Sequence, residues 1–186
     1  MFAADLNGKR QELLIEAVPG ARRLAALADV NMVTATQLKI LQEAAGLRGV
    51  ELATYSVRGF DEIGPAIGAA KAGGAAAINV LGSPLLNGGS GGRLINERAA
   101  ALKLPAMFQW PEWADDGGFI GYGPSRPAMF SQAARLLIKV LRGANPADLP
   151  VEQPTRFELV INLRTAKAAG IEVPAALALR ADRIIE

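Results

Sequence analysis

The stretch LPAMFQWPEWADDGGFIGYGP, Leu104 to Pro124, holds two short apolar runs, Ala106 to Trp110 and Phe119 to Tyr122. They bracket a loop carrying both tryptophans, Trp110 and Trp113, the carboxylates Glu112, Asp115 and Asp116, and the pair Gly117-Gly118. Pro111 ends the first run because it has no N–H to give to a ladder, and the glycine pair lets the backbone turn into the second. A strand, a polar loop at its carboxyl end and a further strand is where open parallel sheets place their ligands. The rest of the chain reads as scaffold for that loop.

Upstream, Asn7 is placed to cap a helix over Gly8 to Val18, whose Leu13, Leu14, Ala17 and Val18 share a face, and Pro19-Gly20 ends it. Arg22 to Ala28 reads as a short buried strand, Thr34 to Leu47 as a helix, and Val50 to Val57 as an alternating strand. Asp61 to Ala72 reads as a helix with Pro65 in its first turns, where a missing N–H costs least. Ala75 to Leu81 is an apolar run broken only by Asn79, the pattern of a buried parallel strand. GSPLLNGGSGG, Gly82 to Gly92, reads as a flexible connector before a helix over Arg93 to Leu102. Strands alternating with helices at this spacing define an α/β fold, three layers with helices on both faces of a parallel sheet.

After Pro124 the character changes. Pro127 to Leu141 is amphipathic, with Met129, Phe130, Ala133, Leu136, Leu137 and Val140 opposite Gln132, Arg135 and Lys139. Ala144 to Pro154 is a proline-rich linker, Phe157 to Leu163 a strand, Thr165 to Ala169 a turn or two of helix, and Pro174 to Ile185 a last helix.

Composition narrows the chemistry. The 186 residues carry no Cys and no His, which removes cysteine nucleophiles, histidine triads and Cys/His zinc sites. Basic and acidic side chains number 20 and 18 and form no block, so no nucleic-acid footprint is present. The pI of 9.1 reflects the missing histidines. No apolar run approaches the roughly 20 residues of a membrane span, and MFAADLNGKR lacks the layout of a secretory signal, so a chain expressed as given is expected in the cytoplasm.

Several residues have two readings. Gly88 to Gly92 resembles a phosphate cradle, but neither nucleotide-binding glycine motif is present, so a flexible loop is the better reading. Trp110 and Trp113 either stack on a ligand or wedge the loop onto the core, and at least one is expected to line a cleft. Glu112, Asp115 and Asp116 read as surface carboxylates rather than an acid–base pair. Ser83 before Pro84 either donates to a ligand or caps the next turn, and Asn79 reads as a satisfied core amide. No catalytic residue, cofactor or metal ligand is assigned.

The segments GKRQELLIEAVPGARRLA from Gly8, YGPSRPAMFSQAARLLIKVLRGANPADLPVEQPTRFELVINLRTAKAAGIEVP from Tyr122, and LRADRIIE at the end closely resemble the ABC-transporter substrate-binding proteins of the type I periplasmic fold. Members are two-lobed, secreted, and hold a small molecule between the lobes. The resemblance implies that this chain is the second lobe, residues 1–123, with a crossing helix and linker at 124–154 and a returning strand and helices at 155–186. It implies a hinge at Tyr122, Gly123 and Pro124. Solute contacts would fall at Ser83, Gln109, Trp110, Glu112, Trp113, Gly117 and Gly118, with an amino acid or similar solute, an ABC permease as partner and an extracytoplasmic location. The first lobe and export signal are expected to be missing. Members often carry Pro-Asp where this chain has Gly82-Ser83, which removes from that position a carboxylate able to hold an amino group, and Asp29 to Met32 replaces the usual asparagine-proline turn. The helix Pro127 to Leu141 would have lost its partner lobe, and pairing of two copies through it is the expected consequence. The rival readings are a doubly wound enzyme using Ser83, Lys103 or the loop carboxylates, and a dimerising ligand sensor.

Overall fold

The computed structural model describes residues 2–154 and 156–186, with side chains from residue 6 onward. Met1 and Thr155, at which two of the expected segments begin, lie outside the described residues. The elements run α1 (Phe2–Ala17), β1 (Arg23–Asp29), α2 (Ala35–Gly46), β2 (Glu51–Val57), α3 (Phe60–Ala72) and β3 (Ile78–Val80). They continue with the single turn α4 (Pro84–Asn87), α5 (Gly89–Ala101), β4 (Ala106–Phe108), the turn α6 (Glu112–Asp115), β5 (Ile120–Pro124) and α7 (Arg126–Leu141). After a 3-10 turn at Pro146–Asp148 come β6 (Phe157–Asn162), α8 (Leu163–Ala168), the turn α9 (Ala175–Ala178) and β7 (Arg183–Ile185).

One seven-stranded sheet has the order β2-β1-β3-β4-β5-β6-β7. Strands β1 to β5 are parallel, β6 is antiparallel to β5, and β7 is parallel to β6. Along β1, Leu24, Ala26 and Ala28 face a core with Leu13 and Leu14 of α1 and Leu41 of α2, while Ala25 and Leu27 face Ile63 and Ile67 of α3 and Ile95 of α5. Burial on both faces is why this strand reads as a continuous apolar run. The expected three-layer α/β fold is present, with a sheet that is mostly rather than wholly parallel.

Three expectations are corrected. The first helix starts before Asn7, whose side chain caps nothing and instead accepts from Arg10 Nη1 at 2.7 Å. Gly82 to Gly92 is no flexible connector, because it folds into α4 and the first turn of α5. Its glycines serve close packing: a Cβ on Gly91 would lie 1.9 Å from the Leu85 carbonyl oxygen, and one on Gly92 would lie 2.2 Å from the Trp113 ring. The last helix shrinks to α9. Asp182 then takes the Leu159 N–H on its carboxylate at 2.8 Å and donates its own N–H to the Leu159 carbonyl at 2.9 Å, which lays Arg183–Ile185 on the sheet edge as β7.

Gly92→Ala therefore overpacks the α5–Trp113 contact and is expected to cost about 1–3 kcal/mol in urea denaturation. Gly89→Ala, with open space around its Cβ, should be neutral or stabilising by up to about 1 kcal/mol. Equal tolerance at both positions would restore the flexible-connector reading.

Candidate binding site at the carboxyl edge of the sheet

Parallel strands bring the ends of β1, β3, β4 and β5 to one edge, and the reversed β6 starts there. At that edge lies a groove of about 380 Å³ lined by Met32, Gly82, Ser83, Asn87, Gln109 and Trp110, among others. A second hollow of about 250 Å³ includes Leu6, Arg10, Gln109, Trp110, Pro124 and Phe157 in its wall. Gln109 and Trp110, the two residues that follow β4, belong to both. Of the expected contacts, the structure brings together Ser83, Gln109 and Trp110.

Ser83 caps the next turn, the second of its two readings, and its hydroxyl donates to a protein carboxylate. Its Oγ accepts the Leu86 N–H at 3.2 Å, capping α4, and donates to Asp29 Oδ2 at 2.9 Å. The other oxygen of Asp29 accepts from the Asn31 backbone N–H at 2.9 Å and from Asn31 Nδ2 at 3.2 Å. Asp29 is buried, and among the described residues no cation pairs with it. Asp29 stands at the end of β1, one strand over from Ser83, and both of its oxygens are taken by protein donors. The sequence signal was an acid closing an otherwise apolar strand.

Arg10 is the second residue that the sequence reading passed over. It falls on the buried face of α1, three and four residues before Leu13 and Leu14, and is 2% exposed. Its Nε donates to the Tyr122 carbonyl at 2.9 Å and its Nη1 to Asn7 Oδ1 at 2.7 Å. Both acceptors are uncharged, and among the described residues no carboxylate pairs with Arg10. Burial pushes its pKa down to about 10, so the group stays charged at neutral pH in a site that disfavours the charge. A depression of that size corresponds to roughly 3 kcal/mol.

The other expected contacts lie elsewhere. Trp113 is buried, its ring 5.7 Å from that of Phe108 and pressed on Gly92, so it wedges α6 onto the core. Trp110 is half-buried at the groove. The Arg126 guanidinium sits 5.8 Å from the ring centroids of both tryptophans. Glu112 completes this cluster: one oxygen accepts the Arg126 N–H at 2.8 Å, the other accepts from Arg126 Nε at 3.1 Å, so the side chain caps α7. Asp115 pairs with Arg183 of β7. Gly117 and Gly118 precede β5 and sit at the opposite, amino edge, beside a small hollow of about 90 Å³ that Gly117 shares with Lys103 and Thr165. Asn96 and Asn162 hold the loop between the edges, donating to the carbonyls of Trp113, Ala114 and Asp116. Asn79 is only half satisfied: its Nδ2 donates to Gln11 at 3.0 Å while its Oδ1 is buried without a partner.

Tyr122, Gly123 and Pro124 end β5 and pair with Leu159, Glu158 and Phe157. A Cβ on Gly123 would lie 1.9 Å from the Gln109 carbonyl oxygen, so the end of β5 and the start of the tryptophan loop touch backbone to backbone. From Pro124 the chain leaves along α7, none of whose 16 residues is buried, and Phe130, Leu137, Ile138 and Leu141 are exposed. Among the described residues no group of three or more acidic side chains is placed to hold a metal ion, and no helix is long and apolar enough to cross a membrane.

A mostly parallel sheet covered on both faces is the architecture of a periplasmic binding protein domain. The family model described as ABC transporter substrate binding protein matches residues 4–185, and the chain belongs to that family. Among solved structures, a conserved domain protein from Vibrio cholerae superposes with a TM-score of 0.78 at 21% identity, over 96% of this chain and 60% of that one. An ABC domain from Streptococcus pneumonia in complex with L-Trp gives 0.78 at 22% identity over the same shares, 96% and 60%. The ligand-free, open form of a substrate-binding protein with adhesive properties from Clostridium difficile gives 0.64 at 20% identity, over 96% and 59%. The chain thus spans about 60% of the length of these solved relatives. No curated protein matches it.

Because Glu112 caps α7 from outside the helix, Glu112→Ala should speed amide exchange at Arg126 several-fold while global stability falls by no more than about 1 kcal/mol. Hydrogen exchange that leaves Arg126 protected would show that the tryptophans alone hold the helix start.

Proposed function

We propose that this chain is a solute-receiving lobe of an ABC importer's substrate-binding protein, a non-catalytic receptor that takes a small organic solute such as an amino acid. The observation that carries this reading is the convergence of Ser83, Gln109 and Trp110 on hollows beside the point where the chain leaves the sheet. In this reading residues 1–123 with 155–186 form the lobe, Tyr122 to Pro124 the hinge, and 124–154 a crossing helix and linker. The uncovered apolar side of α7 supports it, since a helix of this kind is stable against a partner surface. The L-Trp held by one structural relative favours an amino acid as solute. Cleft closure over the solute would present one shape to a permease on the outer side of the membrane.

The enzyme reading has less support. Both bonds of the Ser83 hydroxyl are internal, Lys103 lies at the opposite edge, and Glu112 and Asp115 are each paired with an arginine. Among the described residues Ser83 lines the groove at the carboxyl edge and Lys103 the small hollow at the amino edge, too far apart to pass a proton between them.

A single lobe offers half a site, so affinity on the order of 1 mM, roughly 4 kcal/mol, is expected for this chain alone. Titrating an amino-acid panel, L-tryptophan included, against the labelled chain in two-dimensional NMR should shift Trp110 and Gln109 and leave Lys103 unmoved. Resonances at the carboxyl edge that no member moves would overturn the receptor reading, and micromolar affinity would overturn the half-site part of it.

The α7 face also predicts self-association of the isolated chain. Sedimentation at micromolar concentration should show a dimer that Leu137→Asp, at an exposed position, returns to monomer. A well-folded wild-type monomer would remove the pairing.

A further inference from the structure

We propose that Arg10 is the anchor for an anionic group of the solute, so that the cleft selects a carboxylate whose apolar body lies in the hollow against Trp110 and Phe157. The inference rests on the receptor reading above and deepens it by naming the chemical class of the solute.

Three observations converge. First, Arg10 is almost fully buried, yet the two acceptors that it meets, the Tyr122 carbonyl and Asn7 Oδ1, are neutral. A buried guanidinium normally meets a carboxylate or phosphate, because neutral acceptors do not offset the lost hydration of a full charge. Second, Arg10 is part of the wall of a hollow whose other walls are mostly apolar, Leu6, Trp110, Pro124 and Phe157, with Gln109 as one of its few neutral polar groups. A cation in an otherwise apolar, concave wall is the arrangement that recognises an acid with a hydrocarbon or aromatic body. Third, the hollow is built at the hinge, since Pro124 ends β5, Phe157 starts β6, and Arg10 holds the Tyr122 carbonyl between them. An anion seated on Arg10 would therefore lie at the base of an interlobe cleft.

Recognition is by charge and shape with no bond made or broken. The guanidinium keeps its two bonds to Tyr122 and Asn7, made by Nε and Nη1, which leaves Nη2 as the nitrogen to donate to the anion.

The test uses the wild-type chain and a matched pair of probes, 3-phenylpropanoate and its amide, followed through the Arg10 Nε–H and Trp110 indole N–H resonances. The expected result is a saturable shift of both signals by the acid, with binding of the amide at least tenfold weaker, and little response to acetate, which has the charge without the body. In Arg10→Gln the preference for acid over amide should vanish, and Arg10→Lys should keep part of it. Equal binding of acid and amide with Trp110 shifted would overturn the assignment of Arg10 and leave the receptor reading standing. An acetate response equal to that of the acid would reduce Arg10 to a general anion point and overturn the proposal. Silence of both signals toward every probe would overturn it together with that hollow as a solute site. The acid–amide comparison decides the matter even where Arg10→Gln does not fold.

Discussion

Strands β1 to β5 run in one direction, and that constraint decides which side chains can meet. Each connection has to cross back over a face of the sheet, so every strand delivers its last residue to the same edge and its first to the other. Asp29, Ser83 and Gln109 are far apart in sequence and share one edge for this reason alone. The same rule divides the tryptophan loop. Its first residues, Gln109 and Trp110, stay at the carboxyl edge, whereas Gly117 and Gly118 end at the amino edge because β5 must start there.

Residues whose burial follows from a simple period were legible. The continuous run of β1, the turn chemistry of Pro111 and the amphipathic α7 specify their own structure, and the α/β fold follows from their order. Close approach was not legible. Gly91 and Gly92 look like flexibility in one dimension, and only the positions of Leu85 and Trp113 show that they make room for neighbours. The final strand was hidden for a related reason. Asp182 and Arg183 gain their meaning from Leu159 and Asp115, so local propensity favoured a longer helix. In the candidate site, Gln109 and Trp110 could be found because they follow a strand. Arg10 sits where a helix pattern predicts an apolar residue, and Asp29 closes an apolar strand. Each breaks the local apolar pattern, and such positions are where function tends to be stored.

Arg10 and Asp29 share a physical predicament. Both are buried ionisable side chains at the carboxyl edge, held by neutral hydrogen-bonding groups, with no oppositely charged side chain paired to them among the described residues. A buried ion in that state costs stability, and the depressed pKa of Arg10 is a measure of it. The sign follows from which state holds the proton more tightly. Above about pH 10 the unfolded chain holds the Arg10 proton more tightly than the folded chain does, so this group's contribution to stability rises with pH there. Below it, the charge is present in both states and the full burial cost applies, which is the condition under which a counter-ion is worth most.

The loop that touches the hollows also fixes the exit of the chain. Trp110 lies in the wall of both hollows and under the guanidinium of Arg126, whose backbone N–H and Nε are held by Glu112, and Trp113 closes the cluster from the core side. Contacts of the cation with the two rings contribute about 0.5–1 kcal/mol each where exposed, and the ion pair a comparable amount. These energies are small enough to be redistributed by a bound molecule and large enough to bias an equilibrium several-fold. Arg126 is positioned against both indoles at once, so a displacement of the Trp110 ring removes one of its contacts while Trp113 and Glu112 keep theirs. The first turn of α7 is therefore joined to the wall of the groove through the contact of Arg126 with Trp110.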